Sequence, residues 1–395
     1  MIVGAGPVGA VSALLLGRRG VSVTLIEGRH ALSTLSQAST FHPSTLDLLA
    51  TEGIDLAADP DAVRVTSIQW RDNNGEIRTE VDYRLLESST GHPFRIHLDQ
   101  QALLDRLALL LAAEPRIVVR TGLTALGVDP SGPSAVVSTD DGRPFTVDAD
   151  SVVGCDGSHS TVRTSAGFGF TASEYPTGAI RAHLTRDLAE LMPPTREGRP
   201  LSGLCYFRGG GDGVSVLQMA DTSRLIVRTT HPSGDLERLR NAVERATPWH
   251  VGDLGIDRID SYRLTRGVAD GYLCDRGPVM ILGDAAHVTS TAGGLNMNCG
   301  LHEAFALMPV LADFLLGRTG WNSVADVAEI RRTYVVQEVI PRSEWRVKGL
   351  QDPSRTALRE HLDDIDLLAR DAEAARRFLV RAALLDSPLT PVRAE

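Results

Sequence analysis

Apolar and polar positions along this chain repeat with two different periods, and the switches between them mark its elements. Residues 1–29, MIVGAGPVGAVSALLLGRRGVSVTLIEGR, start apolar, pass through spaced glycines into an apolar run of helical period, and end in a β-branched stretch, Val21 to Ile26, closed by Glu27. That order predicts strand, helix, strand. Residues 36–54 read as a polar loop and a short amphipathic helix, opened by Pro43 and stopped near Gly53. Residues 63–83 alternate around Asn74-Gly75, a strong hairpin signal, and 98–115 return to the helical period. A second hairpin, turning at Asp141-Gly142, precedes a buried strand within 135–157.

Between 170 and 270 short β-rich runs such as GLCYFRGG, GVSVLQMA and RLIVRTTH are separated by Gly, Asp, Ser and Pro, which predicts an antiparallel sheet. From 271 the α/β pattern returns, with the strand GPVMILGD and a long helix from about Met297 to Leu316; residues 321–385 are mostly helical and end in a short polar segment. The pattern divides the chain into a nucleotide-binding domain in two parts, 1–170 and 271–320, an inserted sheet domain over 171–270, and a helical C-terminal region over 321–395. The hairpin at 63–83 is a candidate to join the inserted sheet.

The net charge is -10, which removes the electrostatic footprint of a nucleic-acid or anionic-membrane binder and leaves a small molecule as the expected ligand. Cys155, Cys205, Cys274 and Cys299 form no C-x-x-C pair, so neither a zinc site nor a disulfide framework is expected. With no basic leader and no run of roughly 18 apolar residues, the expectation is a soluble, unprocessed cytoplasmic protein without membrane insertion, a monomer or homodimer.

Three motifs carry candidate chemistry. In the first, Gly4-x-Gly6-x-x-Gly9 with Pro7 and Val8 follows a strand and opens a helix. Glu27, Gly28 and Arg29 close the next strand, where the acid accepts from a ribose diol. Such a Rossmann-like unit binds a dinucleotide, without deciding between FAD and NAD(P). In the second, VVGCDGSHSTVR, a strand delivers Asp156 and Gly157 to a turn; the alternative is an ordinary Asp-Gly turn. In the third, GDAAHVTSTAGGLNMNCG, Gly283 and Asp284 end a strand, Gly293 and Gly294 shape a loop, and a helix starts near Met297. Its amides favour negative charge on a ligand. A helix cap is the alternative for Asp284 and a structural histidine the one for His287.

Together, and in this order, the three motifs resemble those of the FAD-dependent aromatic-ring hydroxylases, single-component flavoprotein monooxygenases with the para-hydroxybenzoate hydroxylase fold; the match spans residues 1 to about 316. The resemblance implies an α/β, Rossmann-like FAD-binding domain with an inserted antiparallel β-sheet substrate domain and a helical C-terminal tail. It implies bound FAD, NAD(P)H as electron donor, and O2 delivered to an aromatic or phenol-like ring through a flavin C4a-hydroperoxide. It places Glu27 at the adenosine ribose, Gln100 and Asp284 at the ribityl chain, Asp156 and Gly157 near the pyrophosphate, and the backbones of Met297 and Asn298 at the flavin edge, with Leu123 in the same set.

The chain departs from the family in having Gln37 where many relatives have an arginine, Ser290-Thr291 in place of a Pro-Pro pair, and Asn296 in place of a glycine. Asn296 is expected to take the left-handed conformation of the missing glycine. Substrate-side candidates are Arg181, His183, Tyr206, Arg208 and Gln218 on the inserted sheet, and Thr291. No catalytic acid or base is assigned and no metal is expected. The alternatives are a flavoenzyme of other chemistry (epoxidase, halogenase or reductase), a flavin-fold binding protein without turnover, and an NAD-dependent dehydrogenase. The absence of a W-x-W-x-I-P segment disfavours a halogenase, and the two strand-end acids disfavour the dehydrogenase. The arginine-rich composition, with Lys348 the only lysine, reflects a GC-rich genome, and that together with the departures at Ser290-Thr291 and Asn296 is compatible with a natural-product tailoring enzyme.

Overall fold

The structure, a computed structural model, describes residues 1–32, 38–139, 141–193, 195–196, 198–209, 212–230, 236–347 and 355–388. Gln37 lies outside them. At its centre is a five-stranded parallel sheet in the order Val279–Ile281, Val152–Gly154, Ile2–Val3, Val23–Glu27, Ile117–Thr121. Its inner strands Val279–Ile281, Val152–Gly154 and Ile2–Val3 are short apolar runs covered on both faces, whereas the edge strand Ile117–Thr121 is largely exposed. The helices Pro7–Arg18, Gln100–Ala113 and Leu295–Leu315 supply much of that cover. The carboxyl ends of the strands deliver Gly4, Glu27, Cys155-Asp156 and Leu282-Gly283-Asp284 to one crevice, where open α/β sheets place their ligands.

Close packing at the first turn needs glycine twice. Gly4 has φ +95°, and a Cβ there would sit 2.5 Å from the Cys155 carbonyl oxygen; a Cβ on Gly9 would sit 1.9 Å from the carbonyl oxygen of Gly4. The helix start is therefore pressed against the second strand-end motif, and only glycine permits it.

Beside the parallel sheet stands an eight-stranded sheet ordered His287–Val288, Ile256–Ala269, Phe170–Leu184, Ser223–Thr229, Asp212–Gln218, Leu204–Gly209, Ser67–Arg71, Ile77–Asp82. The hairpin around Asn74-Gly75 thus completes one edge of it, joined in parallel to Leu204–Gly209. Two of its strands, Phe170–Leu184 and Ile256–Ala269, are far longer than the short runs expected from the sequence. Their polar and charged positions masked the strand period, because one face borders water or the cavity. The opposite face is apolar: Ile180, Ala182, Phe207, Val214, Val216, Leu225 and Val227 pack against Leu239 and Val243 of the helix Leu236–Ala246. At its edge Trp70, Val81 and Leu204 pack with Ile365 and Leu379 from the C-terminal helices Arg355–Arg370 and Ala372–Ala382. Among the described residues no helix is long and apolar enough to cross a membrane.

Candidate active site

The crevice opens into a cavity of about 1020 Å³ that runs between the parallel sheet and the exposed face of the eight-stranded sheet. Its first half is lined by Gly4, Gly6, Pro7, Val8, Glu27, Gly28, Arg29, Gln100, Leu123, Asp156, Gly157 and Asp284, and Gly293, Gly294, Asn296 and Met297 lie along it. Gly9 and Gly283 are absent from the lining: Gly9 is packed under Gly4, and Gly283, at φ +59°, faces Val8 while its N–H donates to Glu303 Oε2 at 2.9 Å.

The residues of this half suit a dinucleotide. A Cβ on Gly6 would meet nothing within 4 Å, so the backbone is bare toward the cavity at the N-terminus of Pro7–Arg18, where orphan amides attract phosphate. Glu27 is held by amides of Ala5 (2.9 Å) and Arg29 (3.1 Å), which fix the carboxylate without exhausting its lone pairs. Burial pushes the Asp284 carboxyl up, with Glu303 adding to the rise and His287 opposing it. Gln100 Oε1 accepts from the Ala38 amide at 3.2 Å.

Asp156 does more local work than the resemblance implies. One carboxylate oxygen accepts from Ser160 Oγ at 2.5 Å and the other from the amides of Thr161 and Val162, so the side chain ties down the start of the helix Thr161–Ser165. Arg163 on that helix donates to the Ala285 carbonyl at 2.9 Å and joins the second motif to the third.

The flavin loop corrects two expectations. Asn296 is helical, inside Leu295–Leu315, and the left-handed positions are Gly293 (φ +89°) and Gly294 (φ +67°). Its side chain instead grips Thr289: Oδ1 accepts from the Thr289 hydroxyl at 2.6 Å, and Nδ2 donates to the Thr289 carbonyl. Asn298 does not line the cavity. It is fully buried, accepts from the His42 amide (3.0 Å), and donates to the Thr40 (2.9 Å) and Gly294 (2.6 Å) carbonyls. Of the Ser290-Thr291 pair only Thr291 reaches the cavity; Ser290 is buried and bonded to Ser343 Oγ at 2.8 Å.

Beneath the loop, His287 and Glu303 form a fully buried pair, Nε2 to Oε1 at 2.7 Å, with the Tyr272 hydroxyl donating to the same oxygen. Burial alone would lower the His287 pKa, but Glu303 holds it well above the ordinary imidazole range; Glu303 is correspondingly held low against its own burial. Cys299 completes a cluster of three metal-ligating groups within 4.8 Å. Glu303 is spent on His287, Tyr272 and Gly283, so the cluster acts as a bonded support for the turn at Gly283 and Asp284.

The second half of the cavity is roofed by the eight-stranded sheet. Arg181, Tyr206 and Arg208 line it, as expected. His183 and Gln218 do not. His183 is paired directly with the lining residue Arg224 but does not itself line the cavity, and it bonds to Arg258 at 2.9 Å; Gln218 follows the lining residue Leu217 and so falls on the other side of the pleat, exposed. Sequence reasoning missed Arg95, Arg224, Arg228, Tyr262 and Arg346, and an aromatic wall of Trp70, Trp345 and Phe378. Strand parity with Arg208 and Tyr206 marks Arg224 and Arg228 as candidates, whereas Arg346, Trp345 and Phe378 arrive from C-terminal helices with no local signal.

The sequence pattern of the family described as "FAD binding domain" matches residues 1–343. Among curated relatives, para-nitrophenol 4-monooxygenase of Pseudomonas sp. (strain WBC-3) is 25% identical over 79% of this chain and 78% of its own length. Tetracenomycin A2 monooxygenase-dioxygenase of Streptomyces glaucescens is 27% identical over 91% and 70%. The crystal structure of p-nitrophenol 4-monooxygenase from Pseudomonas putida DLL-E4 superposes with a TM-score of 0.86, covering 98% of both chains at 22% identity, which supports the fold. Since the matching pattern runs through the cradle at the parallel sheet and the sheet that roofs it, the chain belongs to the FAD-dependent aromatic-ring hydroxylases.

Proposed function

We propose that this chain hydroxylates an aromatic small molecule held against the roof of the cavity, using NAD(P)H and O2. The single observation that carries the reading is the continuity of one cavity from a dinucleotide cradle to a wall of Trp70, Tyr206, Trp345 and Phe378. FAD, when bound, supplies electron transfer from NAD(P)H and the activation of O2. Gly4, Gly6 and the start of Pro7–Arg18 hold its phosphates, Glu27 a ribose, and Gln100 and Asp284 its polyol chain. An Asp284 carboxyl raised by burial suits hydrogen bonding to neutral hydroxyls. The N-terminal amides of Leu295–Leu315 stabilise negative charge on the ring system beside Gly293 to Met297. The aromatic wall excludes water and orients the substrate ring.

In this reading residues 171–270 with the hairpin at 63–83 serve the substrate, 1–170 and 271–320 serve FAD, and 321–395 close the substrate side. The protein acts in the cytoplasm as a monomer or homodimer. The monooxygenase names of the relatives, one of them from tetracenomycin chemistry, support a tailoring role. The test is turnover of FAD-loaded protein with a panel of phenols and polycyclic phenols under ¹⁸O2. Substrate-stimulated NAD(P)H oxidation with ¹⁸O in the product is expected. Bound flavin without stimulation by any ring compound refutes the reading and leaves a flavin-fold binding protein.

A further inference from the structure

The helix Ile340–Val347 continues Trp321–Tyr334 through a π-helical stretch, Val335–Val339, and carries two polar residues to the flavin loop. Ser343 Oγ bonds to Ser290 Oγ at 2.8 Å and donates to the Ser290 carbonyl at 3.2 Å. Three positions on, nearly one turn, Arg346 lies against Gly293. A Cβ on that glycine would come 2.6 Å from Arg346 Nε and 2.7 Å from its Cζ, so the guanidinium rests on the bare backbone of the loop. Arg346 lines the cavity together with Gly293, Gly294, Asn296 and Met297.

Arg346 is buried, at 9% exposure; among the described residues no carboxylate pairs with it, and it donates to the Arg342 carbonyl at 3.4 Å. Arg342, one turn earlier, is by contrast neutralised by Glu338 and Asp386. The charges and hydroxyls that bear on Arg346 are those of Tyr206, Arg95, Tyr83 and Arg342. Burial pushes the Tyr83 hydroxyl up, and Arg95 donates to it at 2.5 Å, so it supplies no negative charge at neutral pH. His42 Nε2 bonds to the Gly293 carbonyl at 2.9 Å. Burial, Arg95 and Arg346 hold the His42 pKa well below the ordinary imidazole range, so that ring is neutral and donates. Burial pushes Arg346 down only to about 10, and it stays charged at neutral pH. A buried cation without a counter-ion is costly, and an anion formed beside it offsets that cost.

We infer that Arg346 is the fixed positive charge of the flavin site and raises the reduction potential of bound FAD. A hydride from NAD(P)H carries two electrons and one proton, so the neutral oxidised ring gains one negative charge as the nicotinamide is oxidised. Arg346 stabilises that charge and leaves the neutral oxidised ring almost untouched, which favours reduction. Unit charges within ~10 Å at an effective dielectric of ~20 attract by more than tenfold in an equilibrium constant. The inference rests on the FAD site of the hydroxylase reading and adds the residue that sets its potential.

The experiment uses FAD-loaded protein, titrated at equilibrium without oxygen against a reference dye of known potential, together with fluorescence titration of oxidised FAD. Arg346→Met is expected to weaken the preference for reduced over oxidised flavin about tenfold or more, a fall of ~30 mV or more in midpoint potential. Affinity for oxidised FAD changes by less than about threefold, because the oxidised ring carries no charge. Arg346→Gln, which keeps a hydrogen-bonding head group without the charge, gives the same fall, and Arg346→Lys less than half of it. Ser343→Ala, which loosens the same helix from the loop at constant charge, also gives less than half. Circular dichroism and bound flavin report that each variant is folded. An unchanged potential in Arg346→Met and Arg346→Gln, equal losses of oxidised and reduced FAD, or a fall in Arg346→Lys as large as in Arg346→Met overturns the inference. Substrate-stimulated NAD(P)H oxidation in the parent protein then spares the hydroxylase reading, whereas a parent protein that holds no FAD overturns both.

Discussion

Replacing Asn298 by alanine removes a side chain that touches neither cavity nor solvent yet holds the flavin loop to the opposite wall. Three buried backbone groups use it: the His42 N–H and the Thr40 and Gly294 carbonyls. The Gly294 carbonyl keeps an intrahelical partner as the N-cap of Leu295–Leu315, so two groups are orphaned. At about 1–3 kcal/mol for each buried unsatisfied group, Asn298→Ala costs about 2–6 kcal/mol. Asn298→Asp keeps the acceptor for His42 but turns two donors into a buried carboxylate facing two carbonyls, and is expected to be worse than alanine. Thr40 and Gly294 both line the cavity, so FAD affinity falls together with stability. Guanidinium unfolding of the ligand-free protein gives the first quantity and FAD fluorescence titration the second. A loss under about 1 kcal/mol with unchanged FAD affinity refutes the clamp.

Other substitutions probe separate parts of the account. Gly4→Ala adds a Cβ 2.5 Å from the Cys155 oxygen at a positive φ; FAD affinity measured by fluorescence titration is expected to fall by more than tenfold, about 1.4 kcal/mol, and an unchanged affinity contradicts the close-packed turn. Glu303→Gln leaves the buried His287 without its counter-charge and is expected to cost about 3–5 kcal/mol, with the double variant His287→Asn/Glu303→Gln regaining much of the loss in denaturant titrations. The raised His287 gives stability that is complete below the ordinary imidazole value of about 6.5 and is lost as pH rises through its folded value. The lowered Glu303 gives stability that is complete above its ordinary 4.5 and is lost as pH falls through its folded value. The pair therefore contributes fully between about pH 4.5 and 6.5, and a pH–stability profile identical in the double variant refutes this coupling. Thr291→Pro breaks the Arg228 contact and is expected to alter regiospecificity and the coupling of NAD(P)H oxidation to product; unchanged values dismiss a role for the hydroxyl.

The parts of the site that were legible in the sequence are those whose chemistry is local. Gly4, Gly6, Glu27 and the strand-end Asp284 announce themselves through glycine punctuation and the end of a β-branched run, and all four line the cavity. Asn296 was misread because a missing glycine suggested a left-handed residue, when Gly293 and Gly294 already provide both such positions. Gln218 was chosen for polarity alone, although the buried Val214 and Val216 set the strand parity against it. The roof depends on pairings between distant segments. Arg208 and Arg228 become neighbours only across the strand that carries Gly213, and Trp345, Arg346 and Phe378 only once the C-terminal helices have packed. No local period encodes those approaches.

The visible absorption spectrum of the purified protein, incubated with excess FAD and freed of unbound flavin, tests the central claim most directly. The account predicts a yellow protein with the bands of an oxidised flavin, perturbed relative to free FAD and bleached by NAD(P)H without oxygen. A colourless protein contradicts it, because a cradle built from Gly4, Gly6, Glu27 and Asp284 that fails to hold FAD has no part in flavin hydroxylation.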